Sequence, residues 1–318
     1  MTIELNLVAP DISAYAKGNT GLDYVTTFDS GVPGPHVMVN ALTHGNELCG
    51  AITLDALFRL DLRPTRGKLT FGFANISAYL RFDPTRPAAS RFVDEDFNRL
   101  WSNDVLDSPR RSLELTRARA YRPLIDTVDF LLDLHSMQQA SPALMLSGPL
   151  AKGRALARDV GFPAHVFSDS GHSSGRRLRD YGAFADPASP RNALLVECGQ
   201  HWEKSSAAVS LETTLRFLGH LDVIDPEFAA AQGAAGEPAP QRFIEVTDAV
   251  VAKSTEFRFQ QDFTGMEVIA EAGTVVADDG GEAIRTPYDD CVLVMPSLRL
   301  HPGQTAVRLG RFVDAPRG

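Results

Sequence analysis

With 318 residues, 44% of them hydrophobic, the chain has material for one large or two ordinary domains around a real core. A net charge of −9 argues against a nucleic-acid partner or an anionic membrane surface, so an anionic ligand would need a local basic pocket. Three cysteines, Cys49, Cys198 and Cys291, make neither a disulfide framework nor a Cys-rich metal site, and a reducing, cytoplasmic setting is expected.

The start, Met1-Thr-Ile-Glu-Leu5, shows no secretory leader, and no apolar run reaches the ~18 residues needed to span a bilayer. Residues 1–35 read as a lead-in with one strand near Tyr24–Phe28 and a turn at Gly31-Val-Pro-Gly-Pro35. The apolar run His36–Thr43 predicts a buried strand. It ends in His44-Gly-Asn-Glu47, and a helical pattern on Leu48, Ile52, Leu57 and Leu60 begins at once. Arg63–Gly67 connects to a second strand, Lys68–Ala74. A long irregular region, Asn75 to Asp107, is broken by Pro84 and Pro87 and carries Arg91-Phe-Val-Asp-Glu-Asp-Phe-Asn-Arg99; such loops are usually functional.

A helix is expected over Ser112–Thr127, with Pro123 in its last turn. Val128–Leu134 predicts a buried strand terminating at His135. Ala143–Leu146 predicts another, before a helix near Leu150–Val160. A Gly/Ser loop, Ser168–Gly175, leads into the basic Arg176-Arg-Leu-Arg179. Ala193–Val196 predicts a strand ending at Glu197, and Ser205–Leu221 a helix capped by Ser205 or Ser206. Strands alternating with helices predict a mostly parallel sheet flanked by helices. Residues 226–240, rich in Ala, Gly and Pro, read as a linker between a 1–225 catalytic domain and a small all-β domain at 241–318. Within that tail, β-like runs fall at Phe243–Val246, Val268–Ala270, Cys291–Val294 and Ala306–Leu309.

Three apolar runs therefore end in metal- or proton-competent groups: His44 with Glu47, then His135, then Glu197. Imidazole nitrogens and a carboxylate oxygen are good zinc ligands, and open α/β sheets place their sites at the carboxyl ends of strands. Two histidines and one glutamate leave a coordination position open, as catalytic zinc requires. Glu197 beside it is placed to act as general base and later proton donor.

His44-x-x-Glu47, Arg91…Asp96-Phe97-Asn98-Arg99, Asp133-Leu134-His135 and Glu197-Cys-Gly199 occur in the order, and at about the spacing, of the aspartoacylase/succinylglutamate desuccinylase family. The chain resembles that family from about His36 to Trp202, and its β tail is similar to the family's C-terminal domain. Phe97 stands where the family usually has Leu, a mild departure. The resemblance implies a zinc carboxypeptidase-like fold with a mixed, mostly parallel sheet. It implies one Zn2+ per chain on His44, Glu47 and His135, with Glu197 as acid/base and Arg91 on the oxyanion. It further implies that Asn98 and Arg99 hold a substrate carboxylate. The activity implied is hydrolysis of the amide of a small, anionic N-acyl amino acid. The alternatives are a metallocarboxypeptidase acting on peptides and a non-catalytic carboxylate-binding protein. The family's further substrate-binding arginine has four candidates here, Arg176, Arg177, Arg179 and Arg191.

Several residues carry a plainer reading. Asp133 either orients His135 or closes the strand end. Asp96 fits a structural role beside an arginine or a turn. Cys49 and Cys198 are expected to be buried packing residues. His172 and His201 are expected to face solvent, and Arg176–Arg179 to be a solvated stretch or a lid. The tail also resembles half-barrels that carry lipoyl or biotinyl groups. Its only lysine, Lys253, lies outside the hairpin, so covalent carriage is rejected in favour of shielding or homo-oligomer formation.

Overall fold

The apolar runs of the predicted strands become one sheet whose central strands are buried on both faces. The computed structural model describes residues 5–171, 174–234, 236–297 and 300–316; His172 lies outside them. The first half of the chain forms β1 (Val25–Asp29), β2 (His36–Ala41), α1 (Leu48–Arg59), β3 (Lys68–Phe73), the short helices α2 (Ile76–Tyr79) and α3 (Asn103–Leu106), and α4 (Leu113–Ile125). Then come β4 (Phe130–Met137), β5 (Leu144–Leu146), α5 (Ala151–Val160), β6 (His165–Ser168), β7 (Asn192–Gln200), α6 (Lys204–His220) and α7 (Pro226–Ala229). The tail forms β8 (Arg242–Val251), β9 (Arg258–Phe259), β10 (Val268–Ile269), β11 (Val275–Asp279), β12 (Glu282–Arg285), β13 (Cys291–Val294) and β14 (Thr305–Val313).

Among the described residues the main sheet has eleven strands in the order β1-β3-β2-β4-β7-β5-β6-β8-β14-β13-β10, and β12-β11-β9 form a small second sheet. The sheet is mixed: β3, β2, β4 and β7 run parallel, while β1 pairs antiparallel with β3, and β5 pairs antiparallel with β7 but parallel with β6. Side chains of β2 and β4 alternate between two apolar clusters. Val37, Val39, Leu132 and Leu134 meet one, which also holds buried residues of α1, α5 and α6. Met38 and Leu131 meet the other, with α4 and Trp101. Each buried Val, Leu or Met contributes roughly 1.5–3 kcal/mol, so the two clusters fix strand register firmly.

Some predicted boundaries move for physical reasons. The strands carrying His135 and Glu197 do not stop there, because β4 and β7 keep pairing past His135↔Glu197 to Met137↔Gln200, across a register shift. The α4 helix runs through Pro123, anchored by buried Tyr121 and Ile125 on either side. Glu203, not Ser205 or Ser206, occupies the N-cap position of α6, and Ser206 Oγ instead donates to the Glu203 carbonyl at 2.8 Å. The stretch after Asp225 opens with α7 and a π-helical turn at Ala230–Ala234. The tail continues the main sheet, since β8 pairs parallel with β6 and antiparallel with β14. Among the described residues no helix is long and apolar enough to cross a membrane.

Candidate active site

The turn between β2 and α1 is held by close approach. A Cβ on Gly45 would sit 2.5 Å from the Ser90 carbonyl oxygen and from the backbone of Ala78 and Tyr79. Gly45 N also donates to the Arg91 carbonyl at 3.0 Å, tying the turn to the arginine loop. Leu42, just upstream, takes φ +58°, a strained conformation for a leucine that typically costs about 1–3 kcal/mol. Glu47 occupies the N-cap position of α1, yet its side chain caps nothing. It is buried and lies between two imidazoles instead. His44 Nδ1 is 2.8 Å from Glu47 Oε1, and His135 Nδ1 is 2.9 Å from Glu47 Oε2.

The other nitrogen of each ring rests on a second carboxylate. His135 Nε2 is 2.8 Å from Asp133 Oδ2, and His44 Nε2 is 2.9 Å from Asp96 Oδ1. Asp133 is itself fixed by Asn40 Nδ2 at 2.8 Å and Thr43 Oγ1 at 2.9 Å. Such outer carboxylates orient metal-binding imidazoles. One ligand atom each from His44, Glu47 and His135 lies within 4.8 Å of the others, and all three residues are buried. A two-His, one-Glu donor set this close suits a divalent ion of the zinc type, which would replace the imidazole–carboxylate contacts. Burial alone would raise the Glu47 carboxyl, but the adjacent His44 and His135 hold it well below its ordinary value. Burial opposes charge on His135 as well, and Asp133 and Glu47 overcome it, holding the imidazole well above its usual pKa.

The loop from Arg91 to Arg99 forms the next wall. Arg91 Nη2 donates to Asp96 Oδ2 at 3.0 Å, and its Nη1 reaches Glu47 Oε1 at 3.5 Å. Asp96 also accepts from Asn98 N at 2.9 Å, so it serves arginine, turn and histidine together. Asn98 Oδ1 accepts from Leu178 N at 2.8 Å. Glu114 on α4 escaped the sequence reading. It is fully buried, and its two oxygens accept from the backbone N–H groups of Val93, Asp94 and Glu95 at 2.7, 3.1 and 3.3 Å.

His44, Glu47, Arg91, Asp96, Asn98, Arg99 and His135 line one cavity of about 580 Å³ together with Glu197. The structure thus brings together His44, Glu47, His135, Glu197, Arg91, Asn98 and Arg99, which the sequence had singled out. Glu197 Oε2 is buried with no hydrogen-bond partner among the described residues. Burial pushes its pKa up to about 8, against the pull of His135 and Arg91 and with some help from Glu47. Cys49 and Cys198 are buried, as packing requires. His201 is not solvent-facing but 2% exposed on the cavity wall, with Nδ1 2.8 Å from Ser136 Oγ. Its neighbour Trp202, itself buried, was the available signal.

Of the Arg176–Arg179 stretch, Arg176 is exposed, whereas Arg177, Leu178 and Arg179 are buried rather than solvated. Leu100 and Arg176 form a β-bridge, and Trp101 N donates to the Arg176 carbonyl at 3.2 Å. Arg177 is enclosed by Asp169 and Asp180, each at 2.6 Å, and Arg179 donates to Asp180 and to the Ser147 and Ala193 carbonyls. Arg191 reaches Asp129 at 3.6 Å and does not line the cavity.

The family model for the succinylglutamate desuccinylase/aspartoacylase catalytic domain matches residues 33–220, more than half of the chain. The chain belongs to this family. Its members are hydrolytic deacylases, and the matched span carries His44, Glu47, Arg91, Asn98, Arg99, His135 and Glu197. The structure is similar to the succinylglutamate desuccinylase from Vibrio cholerae, with 18% identity over 93% of this chain and 89% of that one and a TM-score of 0.66. It is also similar to the product-bound ectoine utilization protein EutE (DoeB) from Ruegeria pomeroyi, at 15% identity, 90% and 88% coverage and a TM-score of 0.63. These likenesses show a shared desuccinylase/aspartoacylase fold. No curated protein matches the sequence.

Proposed function

We propose that this deacylase-family protein is a zinc-dependent amidohydrolase that cleaves the acyl group from a small, anionic N-acyl amino acid. The observation that carries the reading is Glu197: a half-buried carboxyl whose buried Oε2 has no hydrogen-bond partner among the described residues, in the same cavity as a converging His44–Glu47–His135 cluster. Those three residues would hold one zinc ion per chain. When bound, zinc supplies a Lewis acid that polarises the scissile carbonyl and acidifies water. Glu197 takes a proton from the attacking water and returns it to the departing amine; a pKa lifted toward neutrality suits a carboxyl that does both. Arg91, steadied by Asp96, presents its guanidinium to the developing oxyanion, where positive charge favours the transition state over the ground state. Asn98 and Arg99 hold a substrate carboxylate, and a guanidinium matches that group's planar geometry.

The test is direct. Purified protein loaded with one equivalent of zinc is assayed on a panel of N-acyl amino acids beside a panel of short peptides. Turnover of the first panel and not the second is expected. Glu197→Gln should retain zinc and lose at least about a hundredfold in kcat, the scale typical of a general acid/base. Loss of zinc from that variant would make Glu197 a ligand or a structural residue. Peptide turnover alone would turn the reading toward a carboxypeptidase.

A further inference from the structure

The proposed reaction leaves one buried polar group on the cavity wall without a task. Of the buried side-chain atoms that lack a hydrogen-bond partner among the described residues, two belong to residues lining the cavity: Glu197 Oε2 and Asn46 Oδ1. The first serves the proposed acid/base. Asn46 stands between His44 and Glu47 in the chain and is 3% exposed. A buried carbonyl left without a donor is costly. It persists here because the backbone around it is pinned. Glu47 N donates to the His44 carbonyl at 3.2 Å, closing a turn around Asn46. The buried Trp202 donates from Nε1 to the Asn46 carbonyl, also at 3.2 Å, and Gly45 is wedged against Ala78, Tyr79 and Ser90.

An acceptor held in this way calls for a donor, and an anionic N-acyl amino acid offers few. Its carboxylates and its acyl carbonyl only accept; the scissile amide N–H donates. That nitrogen is bonded directly to the carbonyl carbon under attack. It therefore enters the cavity beside the cluster formed by His44, Glu47 and His135, where Asn46 stands. We infer that Asn46 is a further substrate-binding residue whose Oδ1 accepts a hydrogen bond from the scissile amide N–H. The bond orients the amide for attack and is kept as the nitrogen leaves as an amine. This rests on the proposed hydrolase reading and deepens it, because a site built to pair an N–H discriminates against the ester that lacks one. The attacking water is the other donor at hand, and an ester separates the two: it needs the water and has no N–H.

The experiment takes the N-acyl amino acid that zinc-loaded wild type turns over fastest and pairs it with the O-acyl hydroxy acid of the same skeleton. For N-acetylalanine the partner is O-acetyllactate, in which an ester oxygen replaces the N–H. The kcat/KM on each is measured for wild type, Asn46→Ala, Asn46→Leu and Asn46→Asp. The amide-to-ester ratio should fall about tenfold in Asn46→Ala, the size of one lost hydrogen bond that leaves a buried donor unpaired. Asn46→Leu keeps the outline of the side chain without the acceptor and should fall equally, which keeps the test alive if the alanine variant does not fold. Asn46→Asp keeps an acceptor and should stay within about threefold of wild type. Both rates come from one sample, so the ratio does not depend on how much of a variant is folded or holds zinc. Where wild type leaves the ester untouched, the pair is compared by calorimetric binding in Glu197→Gln, and adding Asn46→Ala should weaken the amide about tenfold more than the ester. A ratio unchanged in Asn46→Ala and Asn46→Leu, or lost as fully in Asn46→Asp, overturns the inference and leaves Asn46 to the scaffold or the attacking water. If wild type turns over no N-acyl amino acid at all, the hydrolase reading itself fails and takes this inference with it.

Discussion

Asp133 shows how much a single buried side chain can decide. It sits two residues before His135 on β4, close enough to bond that ring at 2.8 Å, and Asn40 and Thr43 hold its other oxygen. An amide in its place would keep the volume and lose the charge that fixes the imidazole. Asp133→Asn is therefore expected to weaken zinc about 10–100-fold in competition with a chromophoric chelator. An unchanged affinity would reduce Asp133 to a strand-end residue. His201 offers a separate check. Burial pulls its pKa down to about 4 from an ordinary 6.5. The folded state thus resists a proton that the unfolded chain accepts, so stability is full above about pH 6.5 and is lost as pH falls toward 4. A shift of this size corresponds to roughly 3 kcal/mol. Other acid-sensitive groups also act in that window, so the informative quantity is a difference. The loss of unfolding free energy between pH 7.5 and 4.5 should be about 2–3 kcal/mol smaller in His201→Asn than in wild type. Equal losses in the two proteins would sink the assignment.

At the scale of elements, the loop from Arg91 to Arg99 is bolted to the start of α4. Glu114 accepts three of its backbone N–H groups, and Asp94 Oδ2 in return accepts from Leu113 N at 2.8 Å. Asn75, at the N-cap of α2, joins Glu114 at 3.1 Å and so links the loop to the end of β3. Glu114→Gln presents an N–H where an acceptor is needed and should misplace Arg91, Asn98 and Arg99 together. A fall in kcat/KM of about tenfold or more is expected, with zinc content unchanged, because small misplacements of positioning groups are costly. Unchanged kinetics would show that the loop holds its shape without this carboxylate. None of this bolt was legible in the sequence. His44, His135 and Glu197 announced themselves because each follows an apolar run, a local pattern. Glu114 is about twenty residues from the amides it holds, and its helix reads as amphipathic whether or not that carboxylate is buried. Arg308, which lines the cavity from β14, left a fainter trace, one arginine inside the apolar run Ala306-Val-Arg-Leu309. Arg177, by contrast, looked solvated because its partner Asp169 lies outside the basic run.

For the whole molecule, the decisive contact is between β6 and β8, which carries the sheet into the tail. One apolar cluster spans the junction: Met137, Leu144, Leu146, Phe167 and Leu195 from one side meet Ile244, Val292 and Val294 from the other. Burying the latter three is worth roughly 5–9 kcal/mol at the usual 1.5–3 per side chain, comparable to the net stability of an ordinary domain. A sequence rich in Ala, Gly and Pro around 230–240 suggests two independent bodies, because composition cannot show that the strand after it returns to the edge of the sheet before it. We therefore expect one cooperative thermal transition for the full chain by calorimetry, with calorimetric and van't Hoff enthalpies in agreement. A chain cut after Pro240 would expose the β6 edge and half of the shared cluster, and should be recovered mainly as aggregate. Two resolved transitions, or a soluble and cooperatively folding 1–240 fragment, would show instead that the tail is a separable body.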